Sequence, residues 1–258
     1  MSMVFSFHGS DHKNGCTMIS QSVAEMLAEY KRDANILLIF LNGRKSLEFM
    51  AGDMISIDHF KSRLESGMSI DEMLLRSCRR RDRFYVIAGL ENELEHRGYF
   101  PDHSRMLLKE LKSRFDIVIA DTGSNIDSGL ALGGLLESDR NFMILAQHEA
   151  SIGRYEWNRE IYKKLSLNFD YYLLNKFSLK EPYSPKYITQ RLCLPKESLM
   201  KISMGGYGYQ AETEKKSLLE YENDEYSADI FKIASVVLKD AGLGEIKTRR
   251  NKIWKNFI

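Results

Sequence analysis

Between the first apolar run of the chain and the helical pattern that follows it lies a polar stretch, His8 to Thr17, reading HGSDHKNGCT. A loop that leaves a strand and opens a helix presents consecutive backbone N–H groups at the positive end of the helix dipole, which suits a phosphate or another anion. A complete phosphate loop reads GxxxxGK[ST], with a lysine for the outer phosphates and a hydroxyl for magnesium. Here Gly9, Gly15, Cys16 and Thr17 keep a glycine frame and the hydroxyl, and a thiol stands where the lysine belongs. Lys13 and Asn14 lie inside the same stretch. Two further polar residues close apolar runs: Asp121 ends FDIVIAD and is followed by Thr-Gly, and Asn175 ends YYLLN.

Such groups need strands that end together and helices that start beside them. Met3–Phe7, Ile36–Leu41, Phe84–Ala88, Phe115–Ala120, Phe142–Ala146 and Tyr171–Leu174 read as buried strands, with a weaker one at Leu199–Ile202. Helical patterns fall at Thr17–Tyr30, Ser56–Ser66, Ser69–Ser77, Ser104–Ser113, Ser151–Leu165, Pro185–Leu192 and Ser227–Ala241. Serines near the start of the second and third of these helices are expected to cap them. Near-continuous apolar strands alternating with helices predict an α/β fold, doubly wound, with a mostly parallel sheet covered by helices on both faces. Ligands in such folds bind beyond the carboxyl ends of the strands, where the His8–Thr17 loop stands.

Composition bounds the rest. The chain has 258 residues, 37 Lys and Arg against 36 Asp and Glu, and 43% apolar residues, which excludes a disordered or collagen-like chain. A net charge of +1 argues against a protein that coats nucleic acid through its overall field. Cys16, Cys78 and Cys193 have no zinc spacing and predict free buried thiols in a reducing cytoplasm. No histidine has metal spacing, no Ser/His/Asp arrangement stands out, and no stretch is apolar enough to cross a membrane. The N-terminus lacks the features of a signal peptide, so a cytoplasmic protein is expected. Arg79, Arg80, Arg81 and Arg83 predict a solvated connection, and Gly205–Tyr209 a flexible surface loop.

Four segments taken in order resemble the MinD/ParA branch of P-loop ATPases, and within it the divergent CpaE/TadZ-like proteins of pilus assembly. Asp11–Thr17 (DHKNGCT) lies where that family has KGGxGKT, and Phe115–Gly123 (FDIVIADTG) looks like its strand and switch segment. Glu137–Ile152 resembles the stretch where a helix ends in an acidic pair and the next strand leads to a polar loop. Tyr171–Lys176 (YYLLNK) resembles the strand whose terminal Asn reads the adenine. The likeness covers roughly residues 1 to 240. It implies a P-loop fold, ATP held by Gly9, Lys13, Asn14, Gly15, Cys16, Thr17 and Asn175, and magnesium at Thr17 and Asp121, the latter also the catalytic switch position. The departures fall on charge. Asp11 and Cys16 replace the family's two loop lysines, one reaching a partner subunit's nucleotide and one holding the β/γ-phosphates, and Leu41-Asn42 replaces an Asp pair after the second strand. Together these imply a degenerate positional or assembly factor for a pilus or secretion apparatus, with other subunits of that apparatus as partners, homodimerisation open and hydrolysis weak or absent. A slow ATPase with charge supplied by Lys13 or a partner, and a nucleotide-free scaffold, remain the alternative readings.

The P-loop domain is expected over residues 1–243 and a basic tail over 244–258. The tail ends EIKTRRNKIWKNFI, with Lys247, Arg249, Arg250, Lys252 and Lys255 against one acid. On a helix Ile246, Ile253, Trp254, Phe257 and Ile258 gather on one side, which suits insertion at an anionic membrane surface. It resembles the C-terminal membrane-targeting tail of the MinD proteins and implies a peripheral location at the inner face of the cell membrane.

Overall fold

The computed structural model describes residues 2–195 and 197–244, so the tail beyond Gly244 lies outside the described residues. Among the described residues eight strands form one sheet: β1 (Met3–Gly9), β2 (Ile36–Phe40), β3 (Arg79–Arg81), β4 (Phe84–Ile87), β5 (Ile117–Asp121), β6 (Arg140–Ala146), β7 (Tyr171–Phe177) and β8 (Leu199–Ser203). Their order is β3-β4-β2-β5-β1-β6-β7-β8, and every neighbouring pair is parallel except β3 with β4. The helices are α1 (Cys16–Tyr30), α2 (Asp58–Ser66), α3 (Glu72–Ser77), α4 (Pro101–Lys112), α5 (Gly129–Glu137), α6 (Glu149–Lys164), α7 (Pro185–Arg191), α8 (Gly208–Glu214) and α9 (Asp224–Asp240). This is the doubly wound α/β fold that the alternating runs predict.

The central strands are buried on both faces because they are apolar at most positions; β2, ILLIF, is buried throughout. Phe5, Phe7, Leu38 and Ile119 pack under α1 and α9, while Val4, Leu37, Ile39 and Val118 pack with Leu107, Leu108 and Leu111 of α4 on the other face. A third cluster joins Met143, Leu145 and Leu174 to Ile152 and Tyr155 of α6. Each such side chain contributes about 1.5–3 kcal/mol on burial. Strand order reverses at β1, which lies between β5 and β6, so the crevice beyond its carboxyl end is the switch point of the sheet.

Several local expectations change. The arginine run is not a connection: Arg79–Arg81 is β3, an exposed antiparallel edge strand, where charge blunts pairing with other chains. The Gly205–Tyr209 stretch runs into α8, and Tyr207 stacks on Tyr221 with ring centroids 5.1 Å apart. Ser56 does accept from the Asp58 N–H at 3.0 Å, but α3 is capped by Asp71, whose carboxylate accepts from the Met73 N–H, and not by Ser69. Cys193 is exposed, whereas Cys16 and Cys78 are buried. Helix α5 escapes the periodicity because GLALGGLLE carries three glycines. They are there for close approach: a Cβ on Gly133 would lie 2.0 Å from the Pro101 carbonyl oxygen of α4.

Candidate functional site

Parallel pairing places Phe7 of β1 and Phe40 of β2 beside Asp121 of β5, so three strand ends converge where the His8–Thr17 loop begins. Gly9 is the last residue of β1, and its N–H donates to the Gly123 carbonyl at 2.6 Å. Counted back from Gly15, the first glycine of the phosphate-loop pattern falls on Ser10. The Ser10 hydroxyl is buried and meets Ser151 of α6 at 2.8 Å. Asn14, also buried, donates through Nδ2 to Ser10 Oγ and Ser151 Oγ, both at 3.0 Å, and so pins the loop to the start of α6. Gly15 precedes α1 at φ 88°, in the left-handed region, and a Cβ there would lie 2.4 Å from Asn175 Nδ2.

The consequence is a row of free donors. Among the described residues the backbone N–H groups of Lys13, Asn14, Gly15, Cys16 and Thr17 donate to no protein acceptor, and no side chain caps α1. Unpaired N–H groups in a turn leading into a helix form a concavity for an anion. The Lys13 side chain is exposed, with its backbone at φ 59°.

Asp121 lies below this row, fully buried, and its four acceptor sites are filled. Oδ2 accepts from Thr17 Oγ1 at 2.7 Å and from Asn42 Nδ2 at 2.9 Å; Oδ1 accepts from the Gly123 N–H at 2.9 Å and from Cys16 Sγ at 3.1 Å. Burial raises its pKa, and the hydrogen bonds from Thr17, Cys16, Gly123 and Asn42 oppose that rise. The Cys16 thiol also donates to the Phe7 carbonyl at 3.0 Å. Burial first, and then the Asp121 charge, push this thiol well above its ordinary range, so it stays a protonated donor facing inward and is no nucleophile. Glu48 also stands near: desolvation raises its carboxyl, and the charge of Asp121 raises it further.

Thr17 and Asp121 are therefore in contact, while Asn175 reaches the site by another route. Its Nδ2 donates to the Asn14 carbonyl at 2.7 Å, tying β7 to the loop. Lys176 donates through Nζ to the Lys13 carbonyl at 2.9 Å. His12, exposed, meets Ser124 of the segment after β5 at 3.0 Å. At the end of β1, where the loop begins, His8 is fully buried; its Nδ1 lies 3.1 Å from Thr122 Oγ1, and its Nε2 has no partner among the described residues. Desolvation by burial lowers its pKa to about 4. Asn42 is already marked in the sequence as the second residue of the Leu41-Asn42 pair that follows β2; Ser10, Ser151 and Lys176 carry no motif of their own and become visible only through the contacts they make.

No protein-family model matches the sequence, and no curated protein matches it. Solved structures do. A ParA family ATPase from Chlorobium tepidum superposes with a TM-score of 0.77 at 17% identity, over 90% of this chain and 97% of that one. The septum site-determining protein MinD from Pyrococcus horikoshii, solved with Mg-ADP, gives 0.73 at 15% identity, over 94% and 98%. McdA from Cyanthece gives 0.68 at 12% identity, over 95% and 100%. The fold is that of the ParA and MinD ATPases. On this ParA/MinD-type fold the loop before α1 and the end of β5 meet at the switch point of the sheet. Among the described residues no group of three His, Cys, Asp or Glu side chains is placed to hold a metal ion. A magnesium ion, which keeps several waters and shares phosphate oxygens, needs no such cage. No helix among the described residues is long and apolar enough to cross a membrane.

Proposed function

We propose that the protein is a nucleotide-binding, weakly hydrolysing relative of the MinD/ParA ATPases that acts as a positional or assembly factor. The observation that carries this is the row of free N–H groups from Lys13 to Thr17, lying over a Thr17–Asp121 contact, with Cys16 turned away from the loop's mouth. The N–H groups bind phosphate oxygens. Thr17, oriented by its donation to Asp121, offers its oxygen lone pairs to magnesium, which would neutralise charge on the outer phosphates. Asp121 acts through Thr17, since its own oxygens are filled by protein donors. The loss lies in charge: phosphoryl transfer depends on positioned cations, and Cys16 and Asn42 supply none. Turnover on the order of 10³-fold below that of an intact ATPase is the expected result.

The Mg-ADP in the Pyrococcus horikoshii MinD structure supports the ligand class. The complex of MinC with MinD from Aquifex aeolicus, a structure of the same fold at TM-score 0.69, supports the idea that such a chain works by docking a protein partner. The choice of a pilus or secretion apparatus, and of a membrane-seeking tail over 244–258, rests on the sequence resemblance. Calorimetric titration of the full chain with ATP and magnesium, with phosphate release measured in the same samples, tests the reading. Binding with slow release supports it, and either no binding or release at the rate of an intact ATPase overturns it.

A further inference from the structure

Two consecutive residues at the end of β7 hold two consecutive carbonyls of the phosphate loop. Asn175 takes that of Asn14 at 2.7 Å, and Lys176 takes that of Lys13 at 2.9 Å. A trans peptide unit points its C=O and its N–H in opposite directions. Fixing the Lys13 carbonyl toward β7 therefore turns the Asn14 N–H to the other side of the loop, and fixing the Asn14 carbonyl does the same for the Gly15 N–H. Both N–H groups belong to the free row described above. Lys176 adds what Asn175 cannot: a positive charge on the carbonyl end of a peptide, which polarises that peptide and makes its N–H a stronger donor. The backbone of Lys176 stands at φ 54°, which bends the chain as the side chain reaches back to the loop.

We infer that Lys176 is a positioning residue for polyphosphate binding: it stands behind the loop, touches no phosphate, and orients and polarises the Lys13–Asn14 peptide so that the loop is set for an anion before one arrives. This rests on the nucleotide reading above and names a residue that reading does not use. It explains how a loop with Cys16 in place of the pattern's lysine keeps a cradle, since part of the missing charge acts through a peptide dipole rather than by direct contact.

The test uses the full chain with inorganic pyrophosphate and with ATP and magnesium, comparing wild type with Lys176→Met and Lys176→Arg. Lys176→Met is expected to lose about tenfold in affinity for both ligands, the size of one charge-assisted hydrogen bond, and Lys176→Arg to recover most of it. Because Lys176 is exposed, the unfolding midpoint of Lys176→Met should match wild type. The ligand-free Asn14 amide resonance supplies a second readout and should shift in Lys176→Met and return in Lys176→Arg. Wild-type affinity in Lys176→Met overturns the proposal. If the wild-type chain binds neither pyrophosphate nor ATP, the nucleotide reading falls; the Asn14 resonance then still decides the positioning role, and an unchanged resonance in Lys176→Met refutes it.

Discussion

His8 provides a pH-dependent stability term whose sign and size follow from its surroundings. The imidazole is fully buried between Thr122, Tyr162 and Phe169, and burial lowers its pKa from 6.5 to about 4. Since Thr122 Oγ1 donates to the Phe7 carbonyl, the hydrogen-bond network assigns the ring proton to Nδ1, leaving Nε2 bare against aromatic rings. Protonation in the folded state would put a charge there without a partner. The unfolded chain binds this proton as pH drops below 6.5, and the folded chain does so only near 4. Stability is therefore fully present above the unfolded value and is lost as pH falls through the interval, by about 2 kcal/mol at about pH 5 and about 3 kcal/mol at about pH 4. Asp121, whose folded pKa is raised, works in the opposite direction, as do Glu25 and Glu48. A comparison of wild type with His8→Phe cancels those groups and keeps an aromatic ring in place. Urea unfolding of both proteins at about pH 7.5 and about pH 5 should show the wild type losing about 2 kcal/mol relative to the variant over that range. Equal losses in the two proteins would refute the burial argument for His8.

Other consequences follow from the loop and the tail. Gly15→Ala forces a left-handed backbone onto a residue with a side chain and a Cβ onto Asn175, so it should cost at least about 1–2 kcal/mol by chemical denaturation and abolish measurable ATP binding. Static light scattering should show no ATP-dependent dimer, because Asp11 puts an anion where the resembled family reaches into a partner's nucleotide; a sharp ATP-induced dimer would contradict that. Co-sedimentation with anionic vesicles should fall with salt and vanish when the chain is truncated after Gly244, since each cation near the surface contributes about 1 kcal/mol. Undiminished binding of the truncated chain would remove the membrane role.

Much of the scaffold is legible in the residues because each strand is a short apolar run that must be covered on both sides. The switch-point loop is legible for the same reason, as the polar segment after the first such run. What resists reading depends on groups distant in sequence. β3 looks like a solvated arginine run, because pairing at an edge is set by the neighbouring β4 and not by composition. α5 hides behind glycines whose purpose, close contact with the chain around the start of α4 and with Leu41 and Thr122, exists only after folding. In the site, Thr17 and Asp121 can be matched by motif. The bond of the Cys16 thiol to Asp121, the ties of Ser10 and Asn14 to Ser151 and the grip of Lys176 on the loop are contacts between residues more than a hundred positions apart, and no spacing encodes them.

If backbone N–H groups, more than side-chain cations, make the anion site of this loop, its amides report the ligand directly. Following the backbone amide resonances of Lys13, Asn14, Gly15, Cys16 and Thr17 in the full chain while ATP and magnesium are added tests this directly. Saturable shifts of these amides, with slowed hydrogen exchange, are expected at concentrations that leave the amides of β3 and α7 unmoved. Shifts confined to other segments, or no shift at all in the loop, would contradict it.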